Sequence, residues 1–592
     1  MCGIAGKINW NATPSADSVI KMCNKMRYRG PDDYGIVSLN NVVLGHRRLS
    51  IIDLSENAKQ PMVSSDKRYF IVYNGEVYNF KELKKELEKF GVIFKTSSDT
   101  EVVLYSYIQW GARCLDRFNG MFALAIWDNN LKELFLARDR FGKKPLYYYK
   151  DAGKMAFASE LSALICDSEI PQEISYEALN SYLALGYILA PLTLYKNIFK
   201  LESATFMVVS DFGKTVKKTR YWDYAEKFRK KVNSNQAEIS ENVLSLLDEA
   251  VKKRMVSDVP IGAFLSGGID SSSVVSLMKK YHRGDLHTFS IGFDQESYSE
   301  IKDADRAAQW IDTIHHNKIC NSRDSQELIK EALESYDEPF ADNSCIPTFA
   351  LAKLTSLYVK VALSGDGADE IFAGYITYKA DRCYYYAKIL PFFIRKLLVK
   401  FGENRHSRKQ TKLSFTYKQK QFFYGSLHSP EEAHYLWRII FHPEERVAIL
   451  GEDKRELIYD TDPFLIFKKY YERAAGLHWL DKNLYVDAMT WLTDDILVKV
   501  DRASMRNSIE VRNPYLDVDL ASYSASIPAN LKMRGLKTKY ILRASLKNVL
   551  PGFILNKKKS GFNAPVGAWL GLDDIDEFKL FNKYVLDKKV KM

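Results

Sequence analysis

A cysteine directly behind the initiator methionine, in MCGIAG, carries chemistry open to one place in a chain. Removal of Met1, which the small side chain at position 2 permits, would leave Cys2 with a thiol and a free α-amine on one carbon. Such an amine titrates at about 7.7–8.0, so part of it is neutral near physiological pH and can serve as general base for the thiol. A thiolate attacking an amide needs donors for the developing oxyanion. In YNGEVYN, residues 73–79, Asn74 and Gly75 stand at a strand end and offer a side-chain amide and a backbone N–H. Arg48, in GHRRLSIID, has the bidentate fork that suits a carboxylate, and Glu76 with Asp99 of SSDTE suit an ammonium. A carboxylate, an ammonium and an amide together describe glutamine.

A second constellation lies in GAFLSGGIDSSSVV. A buried strand ends at Leu265, and Gly267 and Gly268 let the backbone approach an anion closely. Backbone N–H groups and the positive end of the following helix then cradle phosphate, with Ser266, Ser271 and Ser272 adding hydroxyl donors. Asp270, an acid inside a phosphate loop, implies a cation, and Mg²⁺ is the natural candidate. The lysine of the kinase and GTPase loop is missing. VALSGDGADEIFAGY repeats the logic, with Ser364, Gly365 and Asp366 before Asp369 and Glu370 enter a helix. Two such loops at the carboxyl ends of strands in one parallel sheet face one crevice. There Asp270 and Asp369 would share Mg²⁺, while Ser364 and Gly365 contact the nucleotide. Acids at a helix start are equally ordinary caps, so Asp369 alone stays open between the two.

These residues need a scaffold. Residues 1–215 alternate in short apolar segments such as RYFIVYNGEVYN, MFALAIWD and ATFMVVS, which read as strands. NFKELKKELEKFG and DTEVVLYSYIQWG read as helices ending at glycine, so this part is an α+β domain of packed sheets. Residues 216–240 are polar and charged, as in a linker. From 241 to 592 strands alternate with helices, then helices dominate. That predicts an α/β doubly wound parallel sheet with a helical C-terminal part.

The 592 residues, 46% hydrophobic and 27% charged, describe a soluble protein of two or three domains. No apolar run reaches the roughly 18 residues of a membrane span, no secretory signal is expected, and seven scattered cysteines form no disulfide framework. The expected compartment is the cytoplasm. A formal net charge of +11 raises nucleic-acid binding. The basic stretches RKK, NKKKS and DKKVKM lack interleaved aromatics, so a basic enzyme with anionic substrates fits better and no nucleic acid is expected. AKILPFFIRKLLVKFG is basic and amphipathic enough for a membrane surface, but reads first as an internal helix. The His315-His316 pair lacks a zinc-ligand partner.

MCGIAG, RGPDD, GHRRLSIID, YNGEVYN and SSDTE resemble the N-terminal-nucleophile glutaminase domain of class II glutamine amidotransferases. SGGIDSS resembles the pyrophosphate loop of enzymes that split ATP between its α and β phosphates. Joined to SGDGADE, WLTDDILVKVDRASMRNSIEVRNPYLD and KTKYILR, they make nearly the whole chain similar to the glutamine-hydrolysing asparagine synthetase family. The resemblance implies an αββα glutaminase layer, an adenylating domain and an internal ammonia tunnel. It implies Cys2 as nucleophile, Asn74 and Gly75 as oxyanion hole, and Arg48, Leu49, Ser50, Ile51, Ile52, Asn74, Gly75, Glu76 and Asp99 around glutamine. Phe264, Leu265, Ile291, Ser364 and Gly365 fall where the family contacts ATP, and Lys539 where a lysine steadies adenylation. The substrates implied are glutamine, ATP and a carboxylate acceptor, with room for a homodimer. Two departures stand out: Asp366 replaces a glutamate implied to take the proton from attacking ammonia, a role it is expected to keep, and Asp342-Asn343-Ser344 replaces a Thr/Arg pattern near the acceptor. The family resemblance makes aspartate the first expectation, and the second departure opens a uronic acid as alternative. A catalytically inactive nucleotide-binding scaffold is the reading outside enzymes.

Overall fold

The structure, a computed structural model, describes residues 2–323, 325–403, 415–559, 561–571 and 577–590. The chain opens with β1 (Gly3–Asn9), β2 (Asp33–Ser38), β3 (Val42–Arg48), β4 (Met62–Val63), β5 (Tyr69–Val77) and β6 (Gly120–Asp128). β7 (Glu133–Arg138), β8 (Tyr147–Lys150), β9 (Lys154–Ala158), β10 (Ile198–Lys200), β11 (Thr205–Ser210) and β12 (Thr215–Arg220) follow. They form two six-stranded antiparallel sheets, ordered β10-β8-β9-β1-β3-β2 and β12-β11-β7-β6-β5-β4. The period of two sets the layers. Ile4 and Ile8 of β1, Phe70 and Val72 of β5 and Trp127 of β6 pack between the sheets. Ile71, Tyr73 and Val77 face outward under the helices Phe80–Glu88 and Asp99–Trp110. Helix Ala16–Lys25 covers the other sheet through Val19, Met22 and Cys23. The layering is αββα, as expected.

The stretch 216–240 holds more structure than a polar linker. Its first residues complete β12, an edge strand whose TVKKTR sequence is largely exposed, and Tyr224–Arg229 is a helix that buries Tyr224, Ala225 and Phe228. Charge on a solvated edge strand masks its alternation from a reading by hydropathy.

The second half carries β13 (Ile261–Phe264), β14 (His287–Phe293), β15 (Ile314–Cys320), β16 (Val361–Leu363) and β17 (Glu510–Arg512), all parallel in the order β15-β14-β13-β16-β17. The order reverses between β13 and β16, which places a crevice outside their carboxyl ends. Among the described residues no helix is long and apolar enough to cross a membrane.

The helical remainder is pinned by charge as well as packing. His434 is wholly buried, with Nδ1 2.9 Å from Asp381 Oδ2 and Nε2 2.9 Å from Asp487 Oδ1. A neutral imidazole has one N–H, so only the imidazolium donates to both carboxylates. Burial opposes that charge, but Asp381 and Asp487 outweigh it and lift the pKa from 6.5 to about 9. A raised histidine stabilises fully below its unfolded value and loses that stabilisation as pH climbs through the folded one. Thermal denaturation should therefore show Tm falling between about pH 6.5 and 9. His434→Gln should lower Tm at neutral pH and flatten the dependence; an unchanged slope would remove the ion-pair account.

Candidate active site

Cys2 precedes β1, and its nitrogen, the atom Met1 removal would make an α-amine, donates to Asn74 Oδ1 at 3.0 Å. Met1 itself lies outside the described residues. Parity brings the pair together: Ile4 and Val72 face the space between the sheets, so Cys2, two residues before, and Asn74, two residues after, face it too. With Oδ1 engaged, Asn74 Nδ2 is buried without a hydrogen-bond partner among the described residues. Opposite Gly75, Phe122 directs its N–H to Asp139 Oδ2 and its C=O to the Asp139 N–H, at 3.1 and 2.8 Å. Gly75 and Phe122 are thus a non-hydrogen-bonded pair, and the Gly75 N–H points away from β6. Burial pushes the Cys2 thiol up, while the Leu49 N–H and the nearby Arg48 charge favour the thiolate.

Arg48, expected at a carboxylate, also braces its own turn. Its Nη1 donates to Ser55 O at 2.9 Å and its Nη2 to Asp53 O. A buried guanidinium must satisfy its donors, and the turn after β3 presents carbonyls within reach. Arg48 thereby shapes the segment Leu49–Ile52. That segment is braced from both sides: the Ser50 N–H donates to Asp32 Oδ2 at 2.8 Å, and the Ile51 carbonyl accepts the Asp258 N–H at 2.9 Å.

Glu76 and Asp99 do converge. Asp99 Oδ2 accepts the Tyr73 hydroxyl at 2.8 Å and the Val77 N–H at 3.0 Å, and Glu76 Oε1 is buried without a partner among the described residues. Burial lifts both carboxyls, Asp99 to about 6 and Glu76 well above its usual value with help from the Asp99 charge. Sequence reasoning missed the other wall. Arg512 of β17 reaches Glu76 Oε2 at 3.5 Å and is held by Glu510 at 2.6 Å. A three-residue polar strand gives no periodicity to notice. RGPDD contributes Arg29, which donates to the Cys2 carbonyl at 3.1 Å and pairs with Glu160 at 2.5 Å and Asp501 at 2.8 Å.

The crevice between β13 and β16 encloses about 490 Å³. Phe264, Leu265, Ser266, Gly268, Asp270, Ser271, Ile291, Ser364, Gly365, Asp366, Asp369 and Lys539 all line it. Gly267 and Ser272 do not. Gly267 has φ +69° and a Cβ there would lie 2.5 Å from the Asp303 carbonyl carbon, so it turns the loop against the helix Ile301–Ile311. Ser272 is wholly buried behind the loop. The two loops touch: a Cβ on Gly365 would sit 2.8 Å from the Ser271 nitrogen.

Lys539 Nζ lies 2.5 Å from both Asp270 Oδ2 and Asp369 Oδ1, and Lys559 pairs with Asp369 Oδ2. Burial raises the Asp270 carboxyl; at Asp369 the two lysines outweigh burial and hold the group well below its usual range. Asp270 Oδ1 is buried and unpartnered among the described residues. Two carboxylates already sharing one cation, one with an oxygen unpartnered among the described residues, are a donor set that would suit Mg²⁺. Among the described residues no group of three or more His, Cys, Asp or Glu forms an all-protein metal cage.

At the same cavity Lys499, from the helix Leu497–Arg506, places Nζ 2.7 Å from Asp342 Oδ2 and 2.7 Å from Ser344 Oγ. Burial opposes its charge, but Asp342 and Asp495 hold its pKa above the ordinary lysine value. Its one signal in sequence is a basic residue on the apolar face of DDILVKVDR. Asp366 Oδ2 accepts the Ser364 hydroxyl at 2.6 Å, and burial raises its carboxyl. Glu370 accepts the Tyr375 hydroxyl at 2.6 Å, and burial with the Asp369 charge lifts it to about 7.

The profile described as a glutamine amidotransferase domain matches residues 1–222, and that described as asparagine synthase matches residues 242–583. The chain belongs to the asparagine synthase family. Glutamine-hydrolyzing asparagine synthetase 1 of Bacillus subtilis is 35% identical over 579 residues, covering 96% of this chain and 88% of its own. A putative glutamine-hydrolyzing asparagine synthetase of Methanocaldococcus jannaschii is 38% identical over 535 residues, 85% of this chain and 98% of its own. As an asparagine synthase family member with an amidotransferase domain, the chain is a glutamine- and ATP-dependent ligase that amidates a carboxylate.

Proposed function

We propose that the acceptor is aspartate and the product asparagine, with glutamate, AMP and pyrophosphate released. The supporting observation is the charge pattern of the cavity: Lys499 stands with Asp342 and Asp366, and Glu370 is buried in the same wall. A small zwitterion needs acids for its ammonium and a cation for its carboxylate. A sugar acid has one carboxylate and no ammonium for these acids to meet.

At the first site the Cys2 thiol passes its proton to the α-amine as its sulfur attacks the glutamine side-chain carbonyl. Asn74 Nδ2 and the Gly75 N–H stabilise the oxyanion, ammonia leaves with that proton, and water cleaves the thioester to glutamate. Glu76 and Asp99 hold the glutamine ammonium. At the second site an acceptor carboxylate oxygen attacks the α-phosphorus and pyrophosphate departs, its charge met by Lys539 and Lys559. Asp270 and Asp369 would hold Mg²⁺, which when bound neutralises polyphosphate charge. Ammonia then attacks the acyl carbon, AMP leaves, and Asp366 takes the proton. All seven cysteines are free thiols, which suits the reducing cytoplasm.

Pyrophosphate and asparagine, measured with ATP, Mg²⁺ and glutamine, should both appear only when aspartate is added. Glutamate release with no aspartate-dependent pyrophosphate would overturn the acceptor assignment. Asn74→Ala should slow glutamate release by about 10²–10³ and leave ammonia-dependent asparagine formation unchanged; loss of both would deny it a role confined to the first site. Because Glu370 ionises only above about 7, the KM for aspartate should fall as pH rises through that value. A flat KM profile would remove Glu370 from ammonium binding.

A further inference from the structure

We propose that the edge formed by residues 385–400 docks this enzyme on an anionic lipid surface. The reading is independent of the acceptor. Helix Ile376–Ala387 ends in Tyr385 and Tyr386, a short turn carries Ile389 and Leu390, and Pro391 starts the helix Phe392–Glu403. Ile389 is 79% exposed, Phe393 70% and Phe392 56%, and Tyr386 and Leu397 are also open to solvent. No other stretch of similar length among the described residues leaves as many large apolar side chains in water. Contiguous exposed apolar surface of this kind marks an interaction site.

The edge is held firmly by its underside. Arg395 is buried and donates to the Leu390 and Ser426 carbonyls, Val399 is buried one turn on, and the Tyr384 hydroxyl donates to His428 O at 2.7 Å. The helix therefore presents Phe392, Phe393, Lys396, Leu397 and Lys400 along one exposed stripe, with Lys388 beside it. At 100° per residue the two stripe lysines fall between Phe392 on one side and Phe393 and Leu397 on the other. Lysines whose stems lie along apolar surface while their heads reach anionic headgroups are the pattern of an interfacial helix.

Charge selects the partner. From Lys379 to the helix end at Glu403 the sequence holds six basic residues and two acids, and one of the acids, Asp381, is buried against His434. The acids at the start of the helix Pro430–Leu436 are engaged, Glu431 with Lys482 at 3.4 Å and Glu432 with the Ser429 hydroxyl at 2.8 Å. A second copy of the chain would set this basic edge against itself, since a two-fold contact is self-complementary. A nucleic acid would have no use for Ile389, Leu390 and Leu397. A bilayer with anionic headgroups meets both the charge and the apolar tips.

The test is co-sedimentation of the full chain with vesicles of phosphatidylcholine alone and of three parts phosphatidylcholine to one part phosphatidylglycerol. Binding to the anionic vesicles should be stronger by about tenfold or more and weaken with salt. Phe392→Ser/Phe393→Ser and, separately, Lys396→Glu/Lys400→Glu should each reduce it by about tenfold while glutamine-dependent amidation and Tm hold. The lysine variant keeps the test open if the aromatic variant misfolds. No sedimentation with anionic vesicles, equal binding to neutral ones, or a solution dimer dissolved by the aromatic variant would overturn the proposal.

Discussion

Cys2→Ala is expected to abolish glutamine-dependent amide formation while ammonia-dependent formation continues within about twofold. Alanine fits the position, because Cys2 is buried and small and its nitrogen, not its sulfur, makes the bond to Asn74 Oδ1. What disappears is the sulfur that carries the glutamyl group in the proposed mechanism. The donors at Asn74 and Gly75 remain, and an oxyanion hole without its nucleophile retains a small fraction of the rate, so glutamate release should drop by at least about 10³. Glutamate and asparagine would be measured with glutamine and, separately, with ammonium as nitrogen source. Equal loss with both sources would mean that nitrogen release and acyl activation are not two sites. Protein that retains Met1, sorted by mass spectrometry, should behave as Cys2→Ala does, since the base has become an amide nitrogen.

Lys499→Met should do the opposite. Methionine approximates the length of lysine without its charge, and it leaves Asp342 uncompensated in a buried pocket. Breaking one side of a buried pair costs about 3–5 kcal/mol, so Tm should fall. Loss of a cation that faces developing charge should lower asparagine formation by about 10²–10³ with either nitrogen source, while glutamate release persists. The double variant Lys499→Met/Asp342→Asn separates the two effects, because it removes the stranded carboxylate. Stability should return and activity should not. If activity returned with stability, Lys499 would be a structural residue only.

The legible parts of this chain were those where chemistry and period coincide. RYFIVYNGEVYN shows its strand by alternation, and the same alternation delivers Asn74 to Cys2. SGGIDSS and SGDGADE show theirs by glycines after an apolar strand, and the two loops meet as adjacent strands require. What stayed hidden did so for physical reasons. IHHNKIC is the edge strand β15, and its mostly solvated residues carry no apolar signal. The residue type of Arg48 reveals its donors but not the carbonyls of Asp53 and Ser55 that the turn places in reach. Lys499 looks like any helical lysine until Asp342, 157 positions earlier, is folded against it. AKILPFFIRKLLVKFG was expected inside, since apolar content alone does not say which side a helix turns to water, and Phe392 and Phe393 lie outside.

The contact between Arg512 and Glu76 bears on how such an enzyme can be rearranged. The two halves fold as separate layers, yet one wall of the first pocket is supplied by the far edge strand of the second. An N-terminal half grafted onto a foreign synthetase, or cut free, would carry Cys2 and Asn74 intact and leave the buried Glu76 carboxylate facing nothing. Transplanting the amidotransferase as a cassette therefore requires the tripeptide Glu510-Val511-Arg512 to travel with it, though more than four hundred residues separate them in the chain.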